Sequence, residues 1–327
     1  MDTSLEGRQA GRVLSKFMHF LPSTRRIGVW LRTNQLVLTK NSRFRILIAD
    51  LNGDDQSLTQ TRHLEAALRD QPGIGVMPVG RGPDLIEEEV GEGTLEQCRS
   101  LLASHNGDSL IIGQVMLAGP RIRIRMIGRY DEVPGRHGPY QTDWTELPKR
   151  FGLDFEGQLL ALAALSISPA ARDEEDRGYL INLLRPAASK LTRLLEQQAV
   201  QADSEQQGGL WHILGLAASL LGEYTKSQRW LDVAVHAHKT ALLMWQNESV
   251  VFDLAIAQNN LGHALRLLAQ RAGSDDNQVT LLKESIQAFH QALHVYRVAQ
   301  VHGFVSQTEA NLAHADALMA EQSIAAE

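Results

Sequence analysis

The sequence predicts a two-part fold of class α+β/α, in which a small mixed four-stranded α/β domain precedes an α-helical solenoid. Three observations support this prediction. Strand-like apolar runs alternate with helical periodicity as far as residue 128, only helical periodicity follows residue 151, and one helical motif recurs after residue 204. Apolar residues make up 43% of the 327 residues and charged residues 21%, which is typical of a chain that can bury a sizeable core.

The α/β domain is predicted over residues 43–128. Two strand–helix–strand crossovers require parallel pairing, and a turn at Gly119-Pro120 makes the last strand antiparallel. That strand, RIRIRMIG, alternates isoleucine with arginine, so its arginine face is expected to meet solvent and both helices to pack on the other face. The predicted strands span 44–51, 74–80, 109–117 and 121–128, and the predicted helices span 57–70 and 94–108.

The remaining chain divides by composition. Prolines and glycines are concentrated in residues 129–150, which indicates a linker. Residues 151–203 form a helical connector in which Pro186 is expected to begin a new helix, and residues 204–327 form a repeat array. Because the array holds only about two and a half helix pairs, fewer than a stable stack needs, the connector is predicted to cover its first pair.

Residues 1–42 are predicted to be a basic leader. In residues 1–45, nine Lys or Arg residues stand against Asp2 and Glu6, a net charge of +7, whereas the whole chain carries −6. This balance argues against a nucleic-acid-binding protein. The leader is expected to be a solvated arm or a helix packed on the body, and a weak contact of the basic residues 8–45 with anionic lipid is a further hypothesis.

The sequence also bears on compartment and redox chemistry. No apolar run reaches the roughly 18 residues that a membrane-spanning helix needs. The start lacks the apolar stretch and cleavage site of a signal peptide, so the expected compartment is the cytoplasm. Cys98 is the single cysteine and therefore cannot form an internal disulfide or a cysteine-based metal site.

A helical motif recurs three times after residue 204. Each copy pairs a leucine with a small residue, which allows a neighbouring helix to approach closely. A second series follows the first two copies, and the interval from its alanine to the next small residue is 21 residues both times. Independent helices would not keep this interval, so the pattern predicts stacked helical hairpins. The residues in register are Leu214, Leu261 and Leu312; Gly215, Gly262 and Ala313; and, in the second series, Ala234, His238 and Ala241 with Ser285, Phe289 and Ala292.

The W-x2-L-G motif that begins at Trp211 and the small-x3-F-x2-A series that begins at Ser285 resemble the tetratricopeptide repeat, in the long form found in bacterial arrays. The resemblance covers residues 208–322. It departs from the family in having units longer than the usual 34 residues or so. It also lacks the aromatic residue three positions after the glycine. The resemblance implies that the first helix of each pair lines a concave surface that binds a protein or peptide.

The amino-terminal part shows a looser resemblance. Residues 44–128 are similar to the α/β module that precedes such arrays in bacterial proteins, and to the amino-terminal domain of TolB. The similarity lies in the hydrophobic patterns ILIADLNGDD, LIIGQV and RIRIRMI.

Few residues point to a chemical reaction. Asp50, Asp54 and Asp55 follow a predicted strand, where carboxylates can hold Mg²⁺, but the intervening Asn-Gly predicts an acidic turn without a metal. The two histidines of HAH at 236–238 diverge on a helix and do not form a metal site. VGRGPDL lacks the third glycine and the following helix of a phosphate loop. We therefore expect no metal, no cofactor and no enzymatic activity.

The polar stripe on the first helices carries the functional prediction. Its side chains are of types that can hydrogen-bond a peptide backbone or a carboxylate, which predicts a non-enzymatic adaptor that docks a protein or peptide partner. A merely solvated face is the plainer interpretation. A ligand-sensing protein, whose α/β domain binds a small anion or nucleotide and signals through the repeats, is the alternative. Self-assembly through the last helix, 305–320, is a third. The predicted partner-binding residues are His212, Asn259, His263, Arg266, Gln307 and His314.

Overall fold

A computed structural model describes residues 42–83, 92–117, 119, 121–129, 144–150, 153–196, 203–246, 250–272 and 275–325. The basic leader predicted over residues 1–42 lies outside this part of the chain, apart from Ser42. From Arg43 onward the chain forms one structural unit. None of the described helices carries an apolar stretch long enough to cross a lipid bilayer.

Five strands form one mixed sheet in the order β2-β1-β3-β4-β5. β1 pairs in parallel with β2 and β3, whereas β4 pairs antiparallel with β3 and β5. The prediction of four strands is therefore wrong. The fifth strand lies in the predicted linker, where Leu147 pairs with Ile122 of β4 and is fully buried. The strands are β1 Phe44–Asp50, β2 Ile74–Arg81, β3 Ser109–Val115, β4 Arg121–Gly128 and β5 Thr145–Pro148.

Two helices cover opposite faces of this sheet. Leu64 of the first packs in a buried cluster with Ile46, whereas Cys98 of the second packs in another cluster with Leu47. The prediction that both lie on one face is wrong. The chain leaves β1 for β2 and then returns across β1 to β3, and right-handed crossovers in opposite directions place their helices on opposite faces. The helices are α1 Thr59–Arg69 and α2 Glu92–Ser104.

Seven further helices follow in the described residues. Pro186 lies inside α4, so the prediction that it begins a helix is wrong. Leu183 and Leu184 before it and Ala187 and Ala188 after it are all buried, and this burial offsets the ~3 kcal/mol that an interior proline costs a helix. The helices are α3 Leu153–Ile167, α4 Glu174–Glu196, α5 Ser204–Thr225, α6 Gln228–Trp245, α7 Val251–Ala269, α8 Asp275–Val298 and α9 His302–Ala325.

A single buried cluster runs from the sheet into the helical array. Ile124 of β4, Leu159 of α3, Leu184 of α4 and Leu214 of α5 all belong to it. The connector helices α3 and α4 thus pack between the sheet and the first helix of the array. The two parts are joined by continuous apolar packing, which fixes the position of the sheet edge relative to the array.

Candidate functional site

The small residues of the repeated motif lie where a second helix approaches the first. A Cβ added to Gly215 of α5 would lie 2.5 Å from Cε1 of His238 in α6, and one added to Gly262 of α7 would lie 2.7 Å from Cε1 of Phe289 in α8. His238 and Phe289 hold the same position in the two copies of the second series, so the two hairpins pack alike. Ala313 differs, because it is exposed on α9.

The other motif residues are placed as follows. Leu214 and Leu261 are buried, at 1% and 6% exposure. Trp211 and Leu312 are half-buried, and the ring of Trp211 meets the exposed His236 of α6 edge-on at a centroid distance of 5.6 Å. The first two copies therefore bury their leucine fully, whereas the last copy does so only in part.

Polar side chains join the first helices of successive hairpins. Nδ2 of Asn260 in α7 lies 3.4 Å from Nε2 of His212 in α5. Oδ1 of Asn259 accepts hydrogen bonds from Oγ1 of Thr308 and Nδ2 of Asn311 in α9, at 3.1 and 3.2 Å. All five side chains are buried. On α5 and α7, the polar stripe predicted from the sequence therefore contributes His212 and Asn259 to an internal hydrogen-bond network.

The six residues predicted to bind a partner do not share one exposed surface. Gln307 is half-buried and His314 is exposed, both on α9. The expectation of exposure is wrong for the other four, because α5, α7 and α9 lie side by side and cover one another's stripes. Their exposed fractions are 8% for His212, 0% for Asn259, 3% for His263 and 6% for Arg266.

Three histidines are buried in the array in the neutral form. Burial lowers the pKa of His212 to about 4. Burial also lowers the pKa of His238 well below its usual value, with a further contribution from His212, whose ring centroid lies 5.2 Å away. The pKa of His263 is lowered by burial and by Arg266, whose Nη2 lies 3.1 Å from its Nδ1. These rings therefore remain uncharged near neutral pH.

A cleft with a volume of about 130 Å³ opens where β4, β5 and α3 meet the first helices of the array. An engineered cavity of about 150 Å³ admits benzene, so this cleft is large enough for one side chain. Typical small-molecule pockets are several times larger, at roughly 300–1,000 Å³. Its buried apolar floor consists of Leu162, Ile213, Leu216, Trp245 and Ile256.

Two polar side chains on the cleft wall are buried without satisfying all of their polar atoms. Gln158 of α3 is 3% exposed and His212 of α5 is 8% exposed. Oε1 of Gln158 and Nδ1 of His212 have no hydrogen-bond partner among the described residues. Both atoms have almost no accessible surface, so each costs about 1–3 kcal/mol of stability without being presented to the cleft.

The rim of the cleft is polar and held by defined contacts. Glu146 of β5 accepts a hydrogen bond from Nη1 of Arg121 at 2.9 Å, and Nη2 of the same arginine bonds Asp203 at 3.0 Å. The guanidinium of Arg123 lies over the ring of Trp144, 5.2 Å from its centroid. Asp253 of α7 and Glu205 of α5 add carboxylates to the rim.

Two adjacent glycines of α5 differ in what surrounds them. A Cβ on Gly208 would collide with the indole of Trp245, whose Nε1 donates to the backbone oxygen of Glu205 at 2.9 Å. Gly209 lines the cleft, and a Cβ there would have nothing within 4 Å. A side chain introduced at Gly209 can therefore occupy the cleft without displacing its walls.

The carboxylates of the acidic turn after β1 already accept hydrogen bonds from nearby residues of the chain. Oδ2 of Asp54 accepts hydrogen bonds from the backbone N–H and the hydroxyl of Thr61, both at 2.9 Å. Oδ1 of Asp55 accepts from the N–H groups of Ser57 and Thr59 at 2.9 and 3.2 Å. These carboxylates thus cap the amino terminus of α1. Among the described residues, no three His, Cys, Asp or Glu side chains are grouped so that they could hold a metal ion.

Sequence reasoning did not identify Gln158, Trp144 or Trp245 as site residues. The available signal was Gln158, a polar residue within the apolar run FEGQLLALAALSI, where an inward-facing amide calls for a hydrogen-bond partner. The cleft itself depends on helices and strands that are distant in sequence. Comparison with known proteins found no matching family model, no matching curated protein and no matching solved structure.

Proposed function

We propose that this chain is a non-enzymatic adaptor, built on a tetratricopeptide-like array, that docks a protein or peptide partner. The cleft between the sheet edge and the array receives one side chain of that partner. The observation that carries the proposal is a cleft of about 130 Å³ with a buried apolar floor and a polar rim. A space of this size suits a side chain better than a whole nucleotide.

The proposed docking site differs from the one predicted from the sequence. His212 is the one residue of the predicted stripe that lines the cleft. Asn259 is buried and bonds Thr308 of α9, whereas Arg266 and His263 are buried and contact each other within α7. The array can act as a rigid scaffold for the cleft, because most residues of α5 between Leu210 and Gly222 are buried.

The ligand-sensing alternative is supported less well. A helix amino terminus near the carboxyl ends of β1 and β3 is the usual anion site of such a sheet. Asp54 and Asp55 already bind the N–H groups at that terminus of α1, and their negative charge repels a phosphate. Nucleotide thermal-shift screening separates the two functions, because a nucleotide at 100 times its dissociation constant stabilises a protein by about 2.7 kcal/mol.

Peptide selection tests the docking function directly. A random peptide library is panned on the immobilised full chain, and the selected peptides are measured on two variants. Gly209→Met fills the cleft, whereas Gly178→Met changes a glycine of α4 that also has nothing within 4 Å and does not line the cleft. We expect peptides that bind the natural chain and the Gly178→Met variant but lose at least about tenfold in affinity on Gly209→Met.

Two results would overturn this function. One is a library that yields no specific binder. The other is a set of binders with the same affinity for both variants, because their site would then lie elsewhere on the chain.

A further inference from the structure

We infer that His290 and His294 of α8 form a binding site for one divalent transition-metal ion, with Cu²⁺ bound more tightly than Ni²⁺ or Zn²⁺. The site goes beyond the docking function, because α8 contributes none of the described residues that line the cleft. The observation that carries the inference is a pair of exposed histidines, four residues apart on one helix, that line the same surface groove.

The spacing of the two histidines brings their imidazoles together. Both lie inside α8, and residues four apart on an α-helix share a face, with their Cβ atoms about 5–6 Å apart. Two nitrogen ligands in neighbouring coordination positions, each about 2.0–2.1 Å from the ion, are roughly 3 Å apart, which imidazoles on one face can reach. His236 and His238 lack this geometry, because they are two residues apart and diverge.

The packing of α8 keeps this pair on the outer side of the array. Phe289 lies against Gly262 of α7, and Tyr296 is fully buried. These contacts fix the rotation of the helix about its axis, so that His290 and His294 are accessible from solvent. The two ligands therefore stand on a rigid element before any metal binds, which favours binding.

The charges beside the pair are compatible with a cation. Neutral imidazole is a common ligand of Cu²⁺, Ni²⁺ and Zn²⁺. Arg297 stands one turn after His294, but its Nη2 donates to Oε1 of Glu309 in α9 at 2.8 Å, and this carboxylate offsets its charge.

The chemistry of the site is binding alone. Among the described residues, no third His, Cys, Asp or Glu side chain completes a metal cluster, so water is expected to fill the remaining coordination positions. The zinc-binding helix motif H-E-x-x-H has the same histidine spacing, but Gln291 stands where that motif has its catalytic glutamate. The pair thus supplies two ligands without a general base.

Titration of the full chain with CuCl₂ tests the inference, with the protein produced without a histidine tag. We expect one equivalent to bind at least about a hundredfold more tightly than the lone surface histidines do, because the second imidazole adds to the first intramolecularly. Electron paramagnetic resonance of the first equivalent should show two nitrogen ligands from histidine. Amide hydrogen exchange around His290 should also slow, since the ion bridges two turns of α8.

Two single variants locate the site. His290→Ala and His294→Ala each remove one ligand, so each should weaken Cu²⁺ binding by about a hundredfold or more. Both side chains are exposed, and both variants should therefore fold as the natural chain does. His302→Ala is the control, because this exposed histidine of α9 does not line the groove, and its affinity should be unchanged.

Two further substitutions, made in the His294→Ala variant, test the spacing itself. Gln287 and Gln291 are both exposed and both line the groove. Gln287→His adds a ligand three residues before His290, on the same face, and should restore most of the affinity. Gln291→His adds a ligand at the next residue, about 100° around the helix, and should not restore it.

Three results would overturn the inference. One is Cu²⁺ binding of natural affinity in either single alanine variant. Another is a loss in His302→Ala as large as the loss in His290→Ala. The third is equal recovery with the two glutamine substitutions, because binding would then depend on the number of histidines on α8 and not on their spacing.

Discussion

Oδ1 of Asn259 lies 3.2 Å from Nδ2 of Asn311, and both side chains are buried between α7 and α9. The relation recurs one hairpin earlier between His212 and Asn260. The partners are 52 residues apart in the first pair and 48 in the second, one residue more than the repeat steps of 51 and 47. The same kind of polar contact therefore occurs between each first helix and the next, and it keeps these helices in one register.

Replacing Asn259 by Leu should destabilise the array. The substitution removes the acceptor for Thr308 and Asn311 while leaving both side chains buried. Because a buried polar group that loses its partner costs about 1–3 kcal/mol, we expect the free energy of unfolding to fall by about 2 kcal/mol or more. Urea denaturation measures the change, and amide hydrogen exchange should accelerate in α9.

The double variant Asn259→Leu/Asn311→Leu provides the control. It removes the donor of Asn311 together with its acceptor, so its loss of stability should be smaller than the sum of the two single losses. Strict additivity of the single losses would show that the two side chains do not depend on each other.

Local patterns in the sequence predicted much of the helical architecture. Helical periodicity placed the array helices, and the spacing of Gly215 and Gly262 identified positions that lie against His238 and Phe289. The same periodicity could not show which polar residues face solvent. A polar stripe on a first helix has the same spacing whether it faces water or packs against the next first helix. Asn259 of α7 packs against the next first helix, α9.

Long-range features were predicted less well. β5 has only four residues and contributes one fully buried side chain, Leu147, which is too short a pattern to distinguish from a linker. The faces covered by α1 and α2 depend on the strand order, which local sequence does not encode. The cleft depends on β5 and on the strand order, because its walls come from β4, β5, α3 and the array.

Replacing Gly215 by Ala should destabilise the first hairpin. The new methyl group would lie 2.5 Å from the imidazole of His238, so one of the two helices must shift. Overpacking a core costs about 1–3 kcal/mol, which exceeds the gain of about 1 kcal/mol from removing a helical glycine. We therefore expect the midpoint of thermal unfolding to fall.

Gly178→Ala is the matched substitution in an open position. A Cβ at Gly178 in α4 has nothing within 4 Å, so the gain in helix propensity should raise the midpoint. The packing argument fails if both substitutions change the midpoint in the same direction.

The stability of the array should decrease with acidification below about pH 6.5. The unfolded histidines titrate near 6.5, whereas the pKa of folded His212 is about 4 and those of His238 and His263 are also well below 6.5. Between these values the unfolded state binds more protons, so the free energy of unfolding falls as the pH falls. His212 alone should account for about 3 kcal/mol between pH 6.5 and 4, and for no change above pH 7.5. Denaturant titrations at a series of pH values measure the slope.

The substitution His238→Phe isolates one of these groups. Phe289 stands at the equivalent position of the next hairpin, so a phenyl ring is expected to pack against Gly215 in place of the imidazole. The slope of stability against pH between pH 5 and 6 should therefore be smaller in this variant than in the natural chain. The carboxyl of Asp108, whose pKa is raised by burial, titrates in both proteins and so cancels in the comparison. An unchanged slope would mean that His238 is already protonated in the folded state.

The Cys98 thiol should be unreactive until the α2 side of the sheet opens. Its side chain is fully buried, packs with Leu47 and Leu102, and has its pKa raised by burial to about 11. At pH 8 about one thiol in a thousand would be ionised, and that fraction is still shielded from an aqueous reagent.

Because Cys98 is the single cysteine, the rate of labelling by a thiol reagent reports this site alone. We expect labelling of the folded chain to be slower than that of the urea-unfolded chain by about a thousandfold or more, and to accelerate in Leu102→Ala, which leaves a cavity beside the thiol. Labelling of the natural chain within tenfold of the unfolded rate would show that α2 does not cover this face of the sheet in solution.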